Sequence, residues 1–187
     1  MSESPAPTPH PSSGPSDASR HASAGAVGTL RTVQMVSGMV GIGALMLSAV
    51  RILVDPAAPM PSWPAVALVL VVLVGSAVLV RRVGYTVPAL PQGLPRENAE
   101  ATSLRYFTST TILRTAFAEA PVLVAFAVSF VFTPHTWVTL LIALPGGLAL
   151  FWLHAWPSPR TAAAVEAGLE AGGAKSYLSE ALGFRAG

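Results

Sequence analysis

The sequence predicts an all-α protein: a four-helix transmembrane bundle with a disordered N-terminal arm and short cytoplasmic C-terminal helices. Three observations lead there. Of 187 residues, 52% are hydrophobic and only 11% charged, with a mean hydropathy of +0.57, which is too apolar for an ordinary soluble domain. Four apolar runs have the length, about 20 residues, that crosses a hydrocarbon layer about 30 Å thick as a helix. The breaks between them carry Pro, Asp and Gly where the chain must turn.

Residues 1–30 form the arm. Pro, Ser, Ala and Gly dominate it, as in Ser4-Pro5-Ala6-Pro7-Thr8-Pro9, and it has no apolar run to offset the entropy of ordering. The transmembrane domain, 31–157, follows. Its first span, 33–54, is too long and too far from the start for a cleaved signal peptide, so an uncleaved signal anchor is expected. The second, 63–80, includes Ala65-Val66-Ala67-Leu68-Val69-Leu70-Val71-Val72-Leu73-Val74. In water such a stretch fits a strand, but in lipid an isolated strand leaves its backbone unsatisfied, so a helix is predicted. Asp55-Pro56 through Pro61-Ser62 closes the first hairpin, and Thr133-Pro134-His135-Thr136 the second.

The third span is 112–132, but its helix is predicted to begin near Arg96, directly behind Pro95, as a cytoplasmic stem. The fourth, 136–156, carries Pro145-Gly146-Gly147 in mid-span, expected to kink or unwind a turn. In the tail, 158–187, Ser158-Pro159 supplies an N-cap and a first-turn proline. Val165, Leu169, Leu178 and Leu182 make this tail amphipathic, and Gly172-Gly173 should divide it into two short helices. Its placement stays open between weak attachment to the inner membrane surface and docking on the cytoplasmic ends of the bundle.

Arginine and lysine distribution sets the orientation, because short translocated loops are depleted of both. Arg20 and Arg31 flank the first span, Arg81, Arg82, Arg96 and Arg105 lie in the central loop and stem, and Arg160, Lys175 and Arg185 lie in the tail. The hairpins hold only Arg51, whose i+4 neighbour Asp55 neutralises it. Both termini are therefore expected in the cytoplasm of a multi-pass cell-membrane protein. Trp63 and Trp137 at the outer ends, and Trp152 and Trp156 toward the inner, fit interfacial belts.

Glu119 is the one acid inside an apolar run, in Arg114-Thr115-Ala116-Phe117-Ala118-Glu119-Ala120-Pro121. An intramembrane carboxylate is costly unless protonated, paired or hydrated, and so is a functional candidate. Pro121 cannot donate to the carbonyl of Phe117 and leaves an acceptor open nearby. Glu119 is expected either as a structural carboxylate, bonded to Thr115 or paired with Arg82, Arg114 or His154, or as a proton carrier. The structural role is the favoured expectation.

This string, an acid followed by a small residue, Pro and an apolar half-helix, resembles the proton-carrying helix of subunit c of F-type ATP synthases. The likeness covers about 15 residues; subunit c is a two-helix hairpin with a midplane carboxylate, so no rotor function is implied. The whole chain, with ten Arg to one Lys, resembles the uncharacterised small four-helix integral membrane proteins of high-GC bacteria, which implies a bacterial inner membrane and no particular activity.

On the first span Ser37, Gly41, Ala44 and Ser48 draw a stripe of small residues, widened by Gly38 and Gly43, that admits a close helix neighbour. Packing within the bundle is expected there in preference to a dimer face. On the third span Ala116, Ala120 and Ala127 draw a second stripe beside Glu119, predicting that the acid faces protein.

Other function classes are disfavoured. There is no cysteine, and the net charge of +2 is too small to follow a phosphate backbone, so no nucleic-acid partner is expected. His10 and His21 lie in the arm and His135 and His154 at opposite faces, so neither metal nor cofactor is expected. No nucleotide-binding loop or hydrolase motif occurs. The expected function is that of a non-enzymatic accessory or assembly subunit in contact with membrane lipid, acting through a homo-oligomer or an unidentified membrane-protein partner. The alternative is a small oligomeric proton-coupled transporter or channel in which Glu119 titrates.

Overall fold

The computed structural model describes residues 17–184. Six α-helices follow in order: α1 Asp17–Val54, α2 Trp63–Arg82, α3 Arg96–Val131, α4 Val138–Leu150, α5 Pro159–Leu169 and α6 Leu178–Ala181, with a π-helical turn, Phe151–Ala155, continuing α4. No strand occurs among the described residues. Four helical segments, Leu30–Val54, Trp63–Arg82, Arg96–Val131 and Val138–Ala155, are long and apolar enough to cross a membrane. The protein is an all-helical, multi-pass membrane protein.

The arm expected over 1–30 divides in two. Residues 1–16, and with them His10, lie outside the described residues, whereas α1 is already helical from Asp17. Ala18, Ala22, Ala24 and Ala26 explain the early start, because alanine is the strongest helix former and extending a helix that the span has nucleated costs little. The third helix begins at Arg96 directly behind Pro95, as the sequence predicted, and the Ala99 N–H donates to the Pro95 carbonyl at 3.0 Å.

α3 is the central helix. α1, α2 and α4 each pack on it, while α1 and α2 have no extensive contact with each other among the described residues. Ala44, Ala65, Val69, Val122, Ala125 and Leu140 form much of the apolar core of the bundle. Small side chains let the helices approach closely, and Gly146 and Gly147 extend this. A Cβ on Gly146 would stand 2.7 Å from the Leu73 side chain, and one on Gly147 would stand 2.9 Å from Val122 Cγ2 and 3.1 Å from the Ala118 carbonyl. Gly146 and Gly147 therefore serve close packing on α2 and α3, Pro145 beside them is exposed, and α4 runs through the triplet unbroken to Leu150. The irregularity expected there falls one turn later, in the π-helical turn, where the Trp156 N–H reaches back to the Phe151 carbonyl at 2.8 Å.

A second core sits at the other end of α3. Leu90 from the 83–95 loop, Phe107 from the α3 stem, and Val165, Leu169, Leu178 and Leu182 from the tail are buried together. The tail is therefore docked on the stem, and the apolar face that would have lain on a membrane surface is used inside the protein. The Leu90 N–H donates to the Leu169 carbonyl at 2.8 Å, Gln92 Nε2 to the Gly172 carbonyl at 2.7 Å, and Ser103 Oγ to the Ser176 carbonyl at 3.1 Å. Ser158 and Thr161 cap the start of α5 reciprocally, and Arg96 bridges Glu100 at 2.6 Å and Glu180 at 2.9 Å. α5 ends at Leu169 and α6 begins at Leu178, with Gly172-Gly173 between them as predicted.

Candidate functional site

The buried face of α3 through the membrane carries Thr111, Arg114, Thr115, Ala118, Pro121, Val122 and Ala125, residues spaced three and four apart as one side of a helix requires. Glu119 stands on the flank of this face, half-buried. It borders a small cleft between α1, α3 and α4, with Gly41, Ala44, Ala118, Val122, Gly147 and Phe151 among the walls and a volume of about 20 Å³. That is room for about one water molecule. Apart from the carboxylate, the walls are apolar.

Among the described residues Glu119 has no hydrogen-bond or ion-pair partner, and each group expected to meet it is engaged elsewhere or turned away. Thr115 Oγ1 donates to the Thr111 carbonyl at 2.9 Å, the usual back-bond of a hydroxyl within a helix. Arg114 is fully buried; its Nη2 donates to Thr111 Oγ1 at 2.8 Å, its guanidinium lies 4.6 Å from the Tyr85 ring centre and 5.9 Å from that of Phe107, and its Nε and Nη1 find no hydrogen-bond partner. His154 Nδ1 lies 3.0 Å from Tyr85 OH, and Arg82 is exposed at the end of α2. Geometry explains why Glu119 and Arg114 do not meet: at about 100° per residue, five positions set them about 140° apart around the helix. The structural pairing expected for Glu119 is absent.

The two small-residue stripes have opposite outcomes. On α1, Ser37, Ala44 and Ser48 are buried in the protein's own bundle, and a Cβ on Gly41 would contact Phe151 at 3.7 Å; a Cβ on Gly38 or Gly43 would meet nothing within 4 Å. On α3, Ala116 and Ala127 are exposed and Ala120 is half-buried, so this stripe does not face the protein as expected. The small residues that do are Ala118 and Ala125. Alanines recur all around this helix, and two positions turn a side chain by about 200°.

Two groups gained importance only in three dimensions. Arg51, expected to pair with Asp55, does so at 3.5 Å between Nη1 and Oδ2, but it also reaches α3, donating from Nε to Ser129 Oγ at 3.1 Å and from Nη2 to the Ser129 carbonyl at 3.2 Å. Nothing in the sequence marks that contact. Tyr85, which joins the Arg114 and His154 side chains, is signalled only as the one aromatic residue of the 83–95 loop.

With no basic partner to strand, Glu119→Gln should leave stability almost unchanged, within about 0.5 kcal/mol. Equilibrium unfolding of the purified protein in detergent tests this. A loss above about 2 kcal/mol would show that the carboxylate holds a charged partner after all. Comparisons with protein-family models, curated proteins and solved structures find no match for this chain.

Proposed function

We propose that the chain is a non-enzymatic integral membrane protein that acts by association, as an accessory or assembly subunit in the cell membrane. One observation supports this above others. α1, α2 and α4 pack on α3 yet leave Ala116 and Ala127 on its surface, beside the exposed Ile112 and Leu123. Small side chains on a lipid-facing helix allow another backbone to approach closely, and van der Waals packing drives association where lipid supplies no hydrophobic force. A photoreactive residue at position 116, introduced into the full chain in its host membrane, should give a cross-linked species larger than the monomer. That species should weaken when Ala127 is changed to Leu. Absence of any adduct from position 116 would end this reading.

The proposal includes both termini in the cytoplasm, supported by the arginine asymmetry. Single cysteines at Ala58 and at His135, both exposed, should react with an impermeant maleimide in intact cells, and one at Glu97 should not. External labelling at position 97 would reverse the arrangement.

A second reading, an oligomeric proton-coupled transporter or channel, is favoured by one feature, the unpartnered Glu119 beside Pro121 at the cleft. Proton flux under an imposed gradient in liposomes tests it, and none from the wild-type protein would remove it.

A further inference from the structure

The four spans hold a single carboxylate in their apolar stretches, Glu119, and its surroundings leave its charge unanswered. No described side chain bonds to it, and the cleft beside it, about 20 Å³, admits too little water to stand in for hydration. Such a carboxylate, when ionised, costs free energy that a cation from outside the chain would offset. The cleft is bordered at its rim by Val40 of α1 and by Leu144 and Leu148 of α4. One turn beyond Val40, Gly43 is exposed, and a Cβ there would meet nothing within 4 Å. An incoming helix would therefore meet little steric bulk on that side.

We propose that Glu119 anchors a transmembrane helix of a different membrane protein, one carrying a lysine or arginine at matching depth, through an ion pair formed between the two chains. The proposal rests on the association reading and names the chemistry of its partner. Among the described residues, no arginine or lysine of a second copy stands exposed at that depth. Arg51 and Arg114 are 2% and 0% exposed and are held within the protomer, and the exposed Arg31 and Arg105 lie nine positions before Val40 and fourteen before Glu119, about 14 and 21 Å along their helices. Arg81 and Arg82 stand in the last turn of α2, level with Gly84, whose Cβ would touch the Arg114 side chain, and so about 7.5 Å along α3 from Glu119, toward the end of the span.

Full-length protein, labelled at a single cysteine replacing Ala58, is reconstituted in liposomes with synthetic Leu-Ala spanning peptides. Each peptide carries Lys, Leu or Glu about two turns inside one end, the depth of Glu119 past Ile112. Energy transfer reports association. The Lys peptide should bind about tenfold more tightly than the Leu peptide, a factor within the range that polar contacts between spanning helices give. The Glu peptide should bind no more tightly than the Leu peptide, and the Lys preference should vanish in Glu119→Gln. Equal binding of Lys and Leu peptides by the wild-type protein overturns the proposal without any variant having to fold, and a Lys preference that survives Glu119→Gln overturns it as well. A photoreactive residue at Val40 in the host membrane that captured only a second copy of this chain would exclude a heterologous partner. Adducts from position 116 with no Lys preference would leave the association reading standing and remove only the role of Glu119, whereas loss of both would remove both.

Discussion

Replacing Arg51 by Leu should cost about 3 kcal/mol, although the change removes a charge from a membrane span, where charges are ordinarily expensive. α3 ends at Val131 and has no basic residue in its last turn, so its terminal carbonyls and the negative end of its dipole lack a cap from its own sequence. Arg51 supplies one from α1. Its Nη2 donates to the Ser129 carbonyl at 3.2 Å and its Nε to Ser129 Oγ at 3.1 Å, while the guanidinium lies 4.7 Å from the Phe130 ring centre and Nη1 lies 3.5 Å from Asp55. Leucine would leave the buried Ser129 carbonyl and hydroxyl without their charged donor, which is the larger part of the cost, since the Asp55 side chain is 41% exposed and its pairing is screened. Arg51→Lys should recover only part of the loss, because an ammonium is a point donor and the site uses a fork. Equilibrium unfolding of wild type and both variants in one detergent tests this. A leucine variant as stable as wild type would show that the arginine caps nothing of consequence.

How far the sequence carried depends on which physical quantity each feature expresses. The spans were legible because length and hydropathy along the chain decide them, and the α3 start was legible because Pro95 blocks any earlier helix. The capped start of α5 was readable from Ser158-Pro159 for the same local reason. Angular position was not legible. Ala116, Ala118, Ala120, Ala125 and Ala127 offer several plausible small-residue faces, and only the packing of α1, α2 and α4 selects Ala118 and Ala125. Glu119 and Arg114 are close along the chain and far apart around the helix, so proximity in sequence predicted a pair that the fold does not form. Arg51 reaches Ser129 across 78 positions, and no periodicity encodes such a contact. The tail was ambiguous for a different reason: Val165, Leu169 and Leu178 would be buried equally well by lipid or by a stem, and the deciding surface, with Leu90 and Phe107, lies elsewhere in the chain.

That last ambiguity yields the second large effect. Leu169 is fully buried, and its carbonyl takes the Leu90 N–H at 2.8 Å, so it joins the tail to the 83–95 loop through both side chain and backbone. Leu169→Ala keeps the backbone bond but opens a cavity against Leu90, Val165 and Leu178, which costs about 2 to 5 kcal/mol depending on how far the neighbours close in. The docking of the tail is a local equilibrium and not the whole fold, so the loss should appear first as opening of 159–182 while the spans stay folded. Hydrogen exchange in detergent should show these amides protected in the wild type and nearly unprotected in Leu169→Ala, with protection across α2 and α4 unchanged. Ala164→Leu, at an exposed position on the opposite side of α5, should leave protection as it was. Wild-type protection should also be the same in neutral detergent as in vesicles rich in anionic lipid, because the apolar face is satisfied by protein. Protection that required anionic lipid, or that survived Leu169→Ala, would mean that the tail is held by the membrane surface and not by the α3 stem.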